Sequence, residues 1–124
     1  MVGIKAHQLH TDATNQMGSF EQSVQSIAAG GTIALTSNSI QILPIKGDSA
    51  AVTASTTPFG TTPPANGTRI VLVGDDDDNV VTIPVSNVPH GCLLSGPAPL
   101  KKGFILEIVR VGTTDRYVEI ARNF

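Results

Sequence analysis

The chain has no tryptophan, one cysteine and few charged residues. The shortages of cysteine and of charge both restrict the kind of protein it can be. With Cys92 as the only cysteine, no internal disulfide can form, so the fold is not a disulfide-stapled scaffold. Apolar neighbours favour a buried thiol over a reactive one. Charged residues make up 15% of the chain, against roughly 25% in ordinary soluble domains. This shortfall suggests that part of the surface is not meant to face water.

The weak charge and the short apolar runs also restrict the partners. The formal net charge is -2, and a nucleic-acid-binding domain usually carries a basic stripe. The only adjacent basic pair is Lys101-Lys102. No apolar run approaches the roughly 20 residues of a membrane span, and residues 1–7 lack the apolar core of a signal peptide. We therefore expect no nucleic-acid or membrane partner, and synthesis in a cytosol.

The last part of the chain is typical of an antiparallel β-hairpin. Two β-rich runs, 103–111 and 116–122, flank the turn 112–115. Because side chains alternate along a strand, Phe104, Leu106 and Ile108 share one face of the first run, and the other face is apolar except for Glu107. A strand of this kind is normally covered on both sides. We interpret the hairpin as the spine of a small β-sandwich, with part of its burial supplied by other chains.

Similar runs recur upstream at short spacing, separated by turn signals, and none has a convincing helical period. A chain of 124 residues is enough for one domain. The pattern predicts an all-β protein, a jelly-roll-like antiparallel β-sandwich over residues 23–124 after an extended N-terminal arm over residues 1–22. The further strands are predicted at 23–27, 32–36, 39–45, 50–54, 68–73, 80–85, 91–94 and 98–100.

Two groups of residues have some resemblance to metal sites. Four consecutive carboxylates in one turn could gather Ca²⁺, but the run lacks the glycine and the spaced glutamate of a dedicated calcium loop. A solvated turn that protects a strand edge from aggregation is favoured. A second group, in the arm, has no obvious fourth ligand, so we expect no metal and no cofactor. The first group is Asp75, Asp76, Asp77 and Asp78, and the second is His7, His10 and Asp12.

The chain shows no catalytic signature. No serine lies in a Gly-x-Ser-x-Gly elbow, and no glycine loop precedes a helix that could cradle a phosphate. We therefore expect a non-enzymatic protein with no catalytic residues.

The few aromatic residues indicate contact positions. Phe104 and Tyr117 fit inside the sandwich, which leaves Phe20, Phe59 in the proline-rich loop 56–67, and Phe124. We interpret these three as anchors into neighbouring subunits rather than as platforms for sugar rings. The loop 56–67 is predicted to be a second contact or an exposed tip. The complete predicted interface comprises Ile4, His7, His10, Phe20, Phe59 and Phe124.

The second half of the chain resembles small all-β domains of bacteriophage structural proteins. The matching pattern is Asn-Gly-Thr-Arg-Ile-Val-Leu at 66–72, Asn-Val-Val-Thr-Ile at 79–83, Leu-Lys-Lys-Gly at 100–103, Phe-Ile-Leu-Glu-Ile at 104–108, and Arg-Tyr-Val-Glu-Ile-Ala-Arg at 116–122. Such domains occur in capsid decoration (cement) proteins and in tail-fibre or spike modules, often as trimers. The resemblance implies a structural virion protein.

Two features of the chain favour decoration within that group. Tail-fibre tips commonly carry Trp in the last strand, where this chain has Tyr117, and long fibrous repeats are not found upstream. The resemblance then implies a homotrimer on the outer capsid surface, bound to the major capsid protein, and we expect residues 1–20 to reach onto capsid subunits. The alternative is a tail-fibre or spike module for receptor (glycan) binding. A lectin-like or assembly domain without a virus link is a third possibility.

Overall fold

The computed structural model describes residues 22–124, and in that range the chain folds entirely into strands, turns and irregular segments without a helix. The predicted all-β class is confirmed. The strands are β1 (Gln25–Ile27), β2 (Ile40–Gly47), β3 (Val52–Thr53), β4 (Arg69–Gly74), β5 (Val81–Ile83), β6 (Cys92–Leu93), β7 (Ala98–Leu100), β8 (Ile105–Val111) and β9 (Arg116–Arg122).

The strands form a six-stranded sheet in the order β1-β2-β4-β8-β9-β6 and a three-stranded sheet in the order β3-β5-β7. The prediction of wholly antiparallel pairing is wrong. The pairs β4–β8, β8–β9 and β5–β7 are antiparallel, whereas β1–β2, β2–β4, β3–β5 and β6–β9 are parallel. Parallel neighbours need a long crossover connection, and residues 28–39 and 48–68 supply it after β1 and β2.

The predicted hairpin at the end of the chain is confirmed. Strands β8 and β9 pair antiparallel with Val109 opposite Val118, and the turn between them closes with a hydrogen bond from the Asp115 N–H to the Gly112 carbonyl, 3.1 Å long. The register shifts by one residue after Glu107, so Ile120 is the extra residue of a β-bulge. The bulge changes the direction of the last residues of β9 relative to β8.

Residues 32–36, predicted as a strand, have no strand partner. Ile33 is nevertheless buried, and its N–H donates to the Pro58 carbonyl over 2.7 Å. The Gln25 side chain satisfies both backbone groups of Ala34, donating to its carbonyl and accepting from its N–H. A side-chain amide therefore takes the place of a neighbouring strand, which an alternating apolar pattern does not reveal.

The core lies where the buried faces of the two sheets meet. Each fully buried aliphatic side chain contributes about 1.5–3 kcal/mol relative to exposure. The large sheet contributes Leu43, Ile45, Ile70, Leu72, Leu106 and Ile108, and the small sheet contributes Val81, Ile83, Ala98 and Leu100. Gly74 marks a close approach of β4 to the segment after β7, because a Cβ there would lie 2.0 Å from the Lys101 carbonyl oxygen.

Candidate interaction surface

The side of the six-stranded sheet that points away from the core is rich in aliphatic side chains. We call it the outer face. Along β2, β4, β8 and β9, successive side chains point to opposite sides of the sheet, so every second residue lies on the outer face. The pairing of the strands brings these residues into adjacent rows. None of its aliphatic side chains belongs to the core cluster or packs against it. The aliphatic members are Ile42, Val71, Val73, Ile105, Val109, Val111 and Val118, and the charged residues on the same side are Lys46, Arg69, Glu107 and Arg116.

These side chains retain contact with solvent. Ile105 is 38% exposed, and Ile42, Val71, Val73, Val109 and Val118 are half-buried. At the margins of the face, Ile40 and the bulged Ile120 are both 44% exposed. Monomeric soluble proteins rarely leave a contiguous apolar patch of more than a few hundred Å² in water. The exposed aliphatic side chains make the outer face the candidate interaction surface of the described residues.

One ion pair crosses the middle of the outer face. The Arg69 guanidinium donates to Glu107 over 3.0 Å between the adjacent strands β4 and β8. The Arg69 side chain is 53% exposed and that of Glu107 is 27% exposed, so the pair itself adds little stability. Its effect is to make the centre of the outer face electrically neutral.

An open groove of about 190 Å³ lies at the end of the outer face near the C-terminus. Its wall is mostly apolar, and its lining residues are Ile105, Glu107, Ala121, Arg122 and Asn123. The groove is large enough to accept one or two side chains from a partner.

Phe124, predicted as an interface anchor, follows directly on the residues that line this groove. Its ring stacks on Phe104 with centroids 4.8 Å apart, and the Arg122 guanidinium lies over it at 4.8 Å. Arg122 in turn donates to Glu119 over 2.8 Å, and this bond, together with the Ser95 N–H, lowers the pKa of Glu119 to about 2. These contacts hold the end of the chain against the sheet.

Phe59 lies in a different place from the one expected of an intersubunit anchor. Its ring is 6% exposed and contacts Tyr117, with centroids 4.8 Å apart. The interface assignment therefore needs correction for this residue, because the ring is already used inside its own chain. The preceding Pro58 is also buried, whereas residues 61–63 of the same loop are exposed.

A buried polar cluster lies beneath the hairpin turn. Arg110, 4% exposed, donates a hydrogen bond to Asp115, and the His90 Nδ1 lies 3.6 Å from the same carboxylate. The guanidinium also lies over the Tyr117 ring at 5.1 Å, and burial raises the pKa of Tyr117. The cluster joins the turn, the loop before β6 and the core.

The backbone of the buried cluster is also unusual. His90 and Asp115 both have positive φ, 65° and 57°, and the His90 N–H donates to the Asp115 carbonyl over 2.7 Å. Within residues 22–124, three buried polar atoms lack a hydrogen-bond partner, and all three are in this cluster: His90 Nδ1, Arg110 Nη1 and Tyr117 OH. The arrangement fixes the turn, but it contains no recognisable pairing of a nucleophile with a base.

The acidic turn is organised by its own backbone. Asp76 accepts hydrogen bonds from the N–H groups of Asp78 and Asn79, at 2.7 and 2.8 Å, and these bonds lower its pKa. Asp77 accepts from the Lys102 N–H over 3.2 Å. Among residues 22–124 there is no group of His, Cys, Asp and Glu side chains arranged to hold a metal ion. The other weak metal candidate, His7, His10 and Asp12, lies outside the described residues.

Cys92 is fully buried, as predicted, and burial raises the pKa of its thiol to about 12. It is therefore a neutral thiol at physiological pH and not a nucleophile. The described part of the chain also contains no helix long and apolar enough to span a membrane. Of the predicted interface residues, Ile4, His7, His10 and Phe20 lie outside the described residues, as does almost all of the predicted arm.

One feature of this region went unrecognised in the sequence, although the signal was present. The alternation that points Leu106 and Ile108 inward also points Arg110 inward, so its burial was foreseeable. The predicted place of Tyr117 inside the fold is confirmed, since its side chain is fully buried in the core.

Comparisons with protein families, with curated proteins and with solved structures returned no match for this chain.

Proposed function

We propose that this chain is a structural virion protein, a decoration (cement) protein that binds the outer surface of a phage capsid as a homotrimer. In this role it stabilises contacts between major capsid subunits. The protein is made in the cytoplasm of the bacterial host and remains on the assembled virion. It acts by binding alone, without catalysis, metal or cofactor, and neither nucleic acid nor membrane is among its partners.

The observation that carries this proposal is the apolar outer face on a small all-β body. A sheet with one buried face normally turns polar side chains to water on the other, whereas the outer face carries aliphatic rows around the Arg69–Glu107 pair and has Lys46 and Arg116 at its ends. A surface of this kind is explained by permanent association. The resemblance of residues 66–122 to phage decoration domains supports the same class of protein.

The fold suits mechanical reinforcement. The inner faces of the two sheets form one close-packed core, and the β8–β9 hairpin is tied to the loop before β6 through Arg110, Asp115 and His90. We infer that the two sheets act as the layers of a jelly-roll-like sandwich, although their mixed pairing departs from a purely antiparallel one. Such a body resists local unfolding because most of its strands are buried on one face.

A trimer explains how modest contacts can hold a shell. Each subunit binds one site, and once the first has bound, the other two bind at a high effective concentration. We assign residues 1–20, with Phe20, to contact with the capsid. Such a contact is weak in a single copy and strong when three act together.

The test is binding to shells that lack the decoration protein. The full chain should cosediment with such shells to a fixed stoichiometry, and a variant lacking residues 2–18 should fold and trimerise but remain in the supernatant. Equal binding by the truncated chain would contradict the role of the arm. Gold labelling of virions at the tail instead of the capsid would contradict decoration and support the tail-fibre alternative.

A further inference from the structure

We propose that Asn66 is a site of spontaneous deamidation, and that the fold holds the reaction back until the turn containing Asn66 separates from the β8–β9 hairpin. Asn66 precedes Gly67, and a glycine has no Cβ to hinder attack by its own backbone nitrogen. The inference goes beyond the proposed function and does not depend on it, because it rests only on the contacts of this one turn.

The reaction is a ring closure between neighbouring groups. An amide nitrogen shares its lone pair with its carbonyl, so the Gly67 nitrogen must first lose its proton. It then attacks the Asn66 Cγ: a C–N bond forms, the Cγ–Nδ2 bond breaks, and the leaving group takes up a proton and departs as ammonia. Water opens the resulting cyclic imide at either carbonyl, which gives aspartate or isoaspartate. Water is the only reactant that the chain does not supply.

The structure places Asn66 and Gly67 at the two central positions of a β-turn. The Thr68 N–H donates to the Ala65 carbonyl over 3.1 Å, and of the two central residues only Gly67 has a positive φ, 87°. These features define a type II turn, in which ψ of the first central residue is about +120°. That rotation turns the Gly67 nitrogen away from the Asn66 Cβ, whereas ring closure needs both on the same side.

Both reacting groups are also hydrogen-bonded to the end of β8 and the turn that follows it. The Gly67 N–H donates to the Arg110 carbonyl over 2.8 Å, which keeps its proton from base in the solvent. The Asn66 Oδ1 accepts from the Gly112 N–H over 2.7 Å. The side chain also packs on this glycine, where a Cβ would lie 3.3 Å from the Asn66 Cγ. Ring closure therefore requires both hydrogen bonds to break.

The opening that permits the reaction is local. Asn66 and Gly67 are exposed and precede the first residue of β4, and exposed turns open at a much smaller cost in free energy than the whole domain. A reaction that needs the open form proceeds in proportion to the population of that form. Each of the two hydrogen bonds lowers this population by a factor of about five. We therefore expect the folded chain to react at least about 25-fold more slowly than the unfolded chain.

The two products differ in their effect on the fold. Aspartate keeps an oxygen that accepts from the Gly112 N–H. Isoaspartate carries the backbone through the former side chain, and the added methylene displaces Gly67 from the Arg110 carbonyl. The Arg110 N–H donates to the Thr68 carbonyl over 2.9 Å, so the displacement reaches the start of the β4–β8 pairing. Formation of isoaspartate should therefore loosen the end of β8 that carries Arg110.

The experiment follows the tryptic peptide 47–69, in which Asn66 is the only asparagine and glutamine is absent. Deamidation replaces an amino group with a hydroxyl, so any increase in the mass of this peptide reports Asn66. The full chain is incubated in mildly alkaline buffer and, in parallel, unfolded in guanidinium chloride at the same pH. The rate in buffer should be at least about 25-fold lower. Equal rates would overturn the protection by the fold, and an unreacted peptide from the unfolded chain would overturn the site.

Gly112→Ala tests the contact with the hairpin turn. Its Cβ crowds the Asn66 side chain, so deamidation in buffer should be about fivefold faster, with no change of rate in guanidinium chloride. Gly96→Ala is the matched control, since nothing lies within 4 Å of its Cβ position, and both of its rates should equal those of the unmodified protein. An unchanged rate in buffer for a folded Gly112→Ala variant, with folding checked by circular dichroism, would overturn the role of this contact. The comparison of buffer with guanidinium chloride needs no variant and decides the proposal even if Gly112→Ala does not fold.

Discussion

The guanidinium of Arg110 reaches Asp115 from inside the core, across the turn of the β8–β9 hairpin. The two partners differ sharply in burial, since the Arg110 side chain is 4% exposed and the Asp115 side chain is 45% exposed. Removal of the Asp115 carboxylate therefore leaves the Arg110 guanidinium as an unpaired buried charge. Removal of Arg110 leaves the Asp115 carboxylate in contact with water.

This asymmetry predicts unequal costs of substitution. Asp115→Asn should lower the free energy of unfolding by about 3 kcal/mol, because Arg110 remains buried without an opposite charge. Asparagine tolerates the positive φ at this position, so the backbone is not disturbed. Arg110→Met should cost less, because the carboxylate can be hydrated. Urea unfolding at one fixed protein concentration measures both, and an equal or larger loss for Arg110→Met would contradict the argument.

Phe59→Ala tests whether this ring serves the core or a partner. Because Phe59 is buried against Tyr117, its removal should lower the free energy of unfolding by about 3–5 kcal/mol. Phe124→Ala, which removes a partly exposed ring stacked on Phe104, should cost only about 1 kcal/mol. If Phe59→Ala leaves the unfolding midpoint unchanged but reduces the sedimentation mass, the ring is an anchor between subunits after all.

Gly74→Ala should strongly destabilise the fold. The added Cβ would lie 2.0 Å from the Lys101 carbonyl oxygen and 2.5 Å from that of Leu100, both rigid backbone atoms. We expect a loss of about 3 kcal/mol or more, measured by thermal unfolding. Gly96→Ala is the matched control, since nothing lies within 4 Å of its Cβ position, and it should change stability by less than about 1 kcal/mol. Similar melting temperatures for both variants would argue against a close approach at Gly74.

The lowered pKa of Glu119 predicts that part of the free energy of unfolding is lost in acid. Hydrogen bonds from Arg122 and Ser95 lower its pKa from 4.5 to about 2, so the unfolded chain binds this proton more readily than the folded one. The stabilisation is complete above about pH 4.5 and is lost as the pH falls toward 2. Glu119→Gln should cost about 1–2 kcal/mol at neutral pH.

The pH profile separates this carboxylate from the others. The difference in unfolding free energy between the unmodified protein and Glu119→Gln should shrink steadily from pH 4.5 to pH 2. Asp76, whose pKa is also lowered, is present in both proteins and cancels from the difference. If the difference in unfolding free energy stays constant over this interval, the ionised form of Glu119 does not stabilise the fold.

Much of the strand content was predictable because it depends on local pattern. The hairpin is an example: two β-rich runs around a Gly112–Asp115 turn can pair in only one way when the connection is this short. Residues 39–45 and 68–73 were also predicted as strands and correspond closely to β2 and β4. Their parallel pairing was not predictable, because long connections allow either direction.

The candidate surface was foreseeable in kind but not in position. Apolar residues on both faces of β8 indicated that something beyond the domain core must cover them, which is the basis of the outer face. Which neighbouring strands share that face depends on the order β2-β4-β8-β9, and no local pattern encodes that order. Phe59 shows the converse, since a residue in a proline-rich loop looked exposed until the fold placed it on Tyr117.

The amino-acid sequence by itself determined the β class, the hairpin and turn positions, the buried thiol and the excess of apolar strand residues. These follow from side-chain alternation and turn chemistry, which act over a few neighbouring residues. Only the tertiary structure decided the parallel crossovers, the burial of Phe59, the meeting of Arg110 with Asp115 and His90, and the strands that share the outer face. Those outcomes depend on contacts between residues far apart in the chain, where the gain from burying one group competes with the gain from burying another.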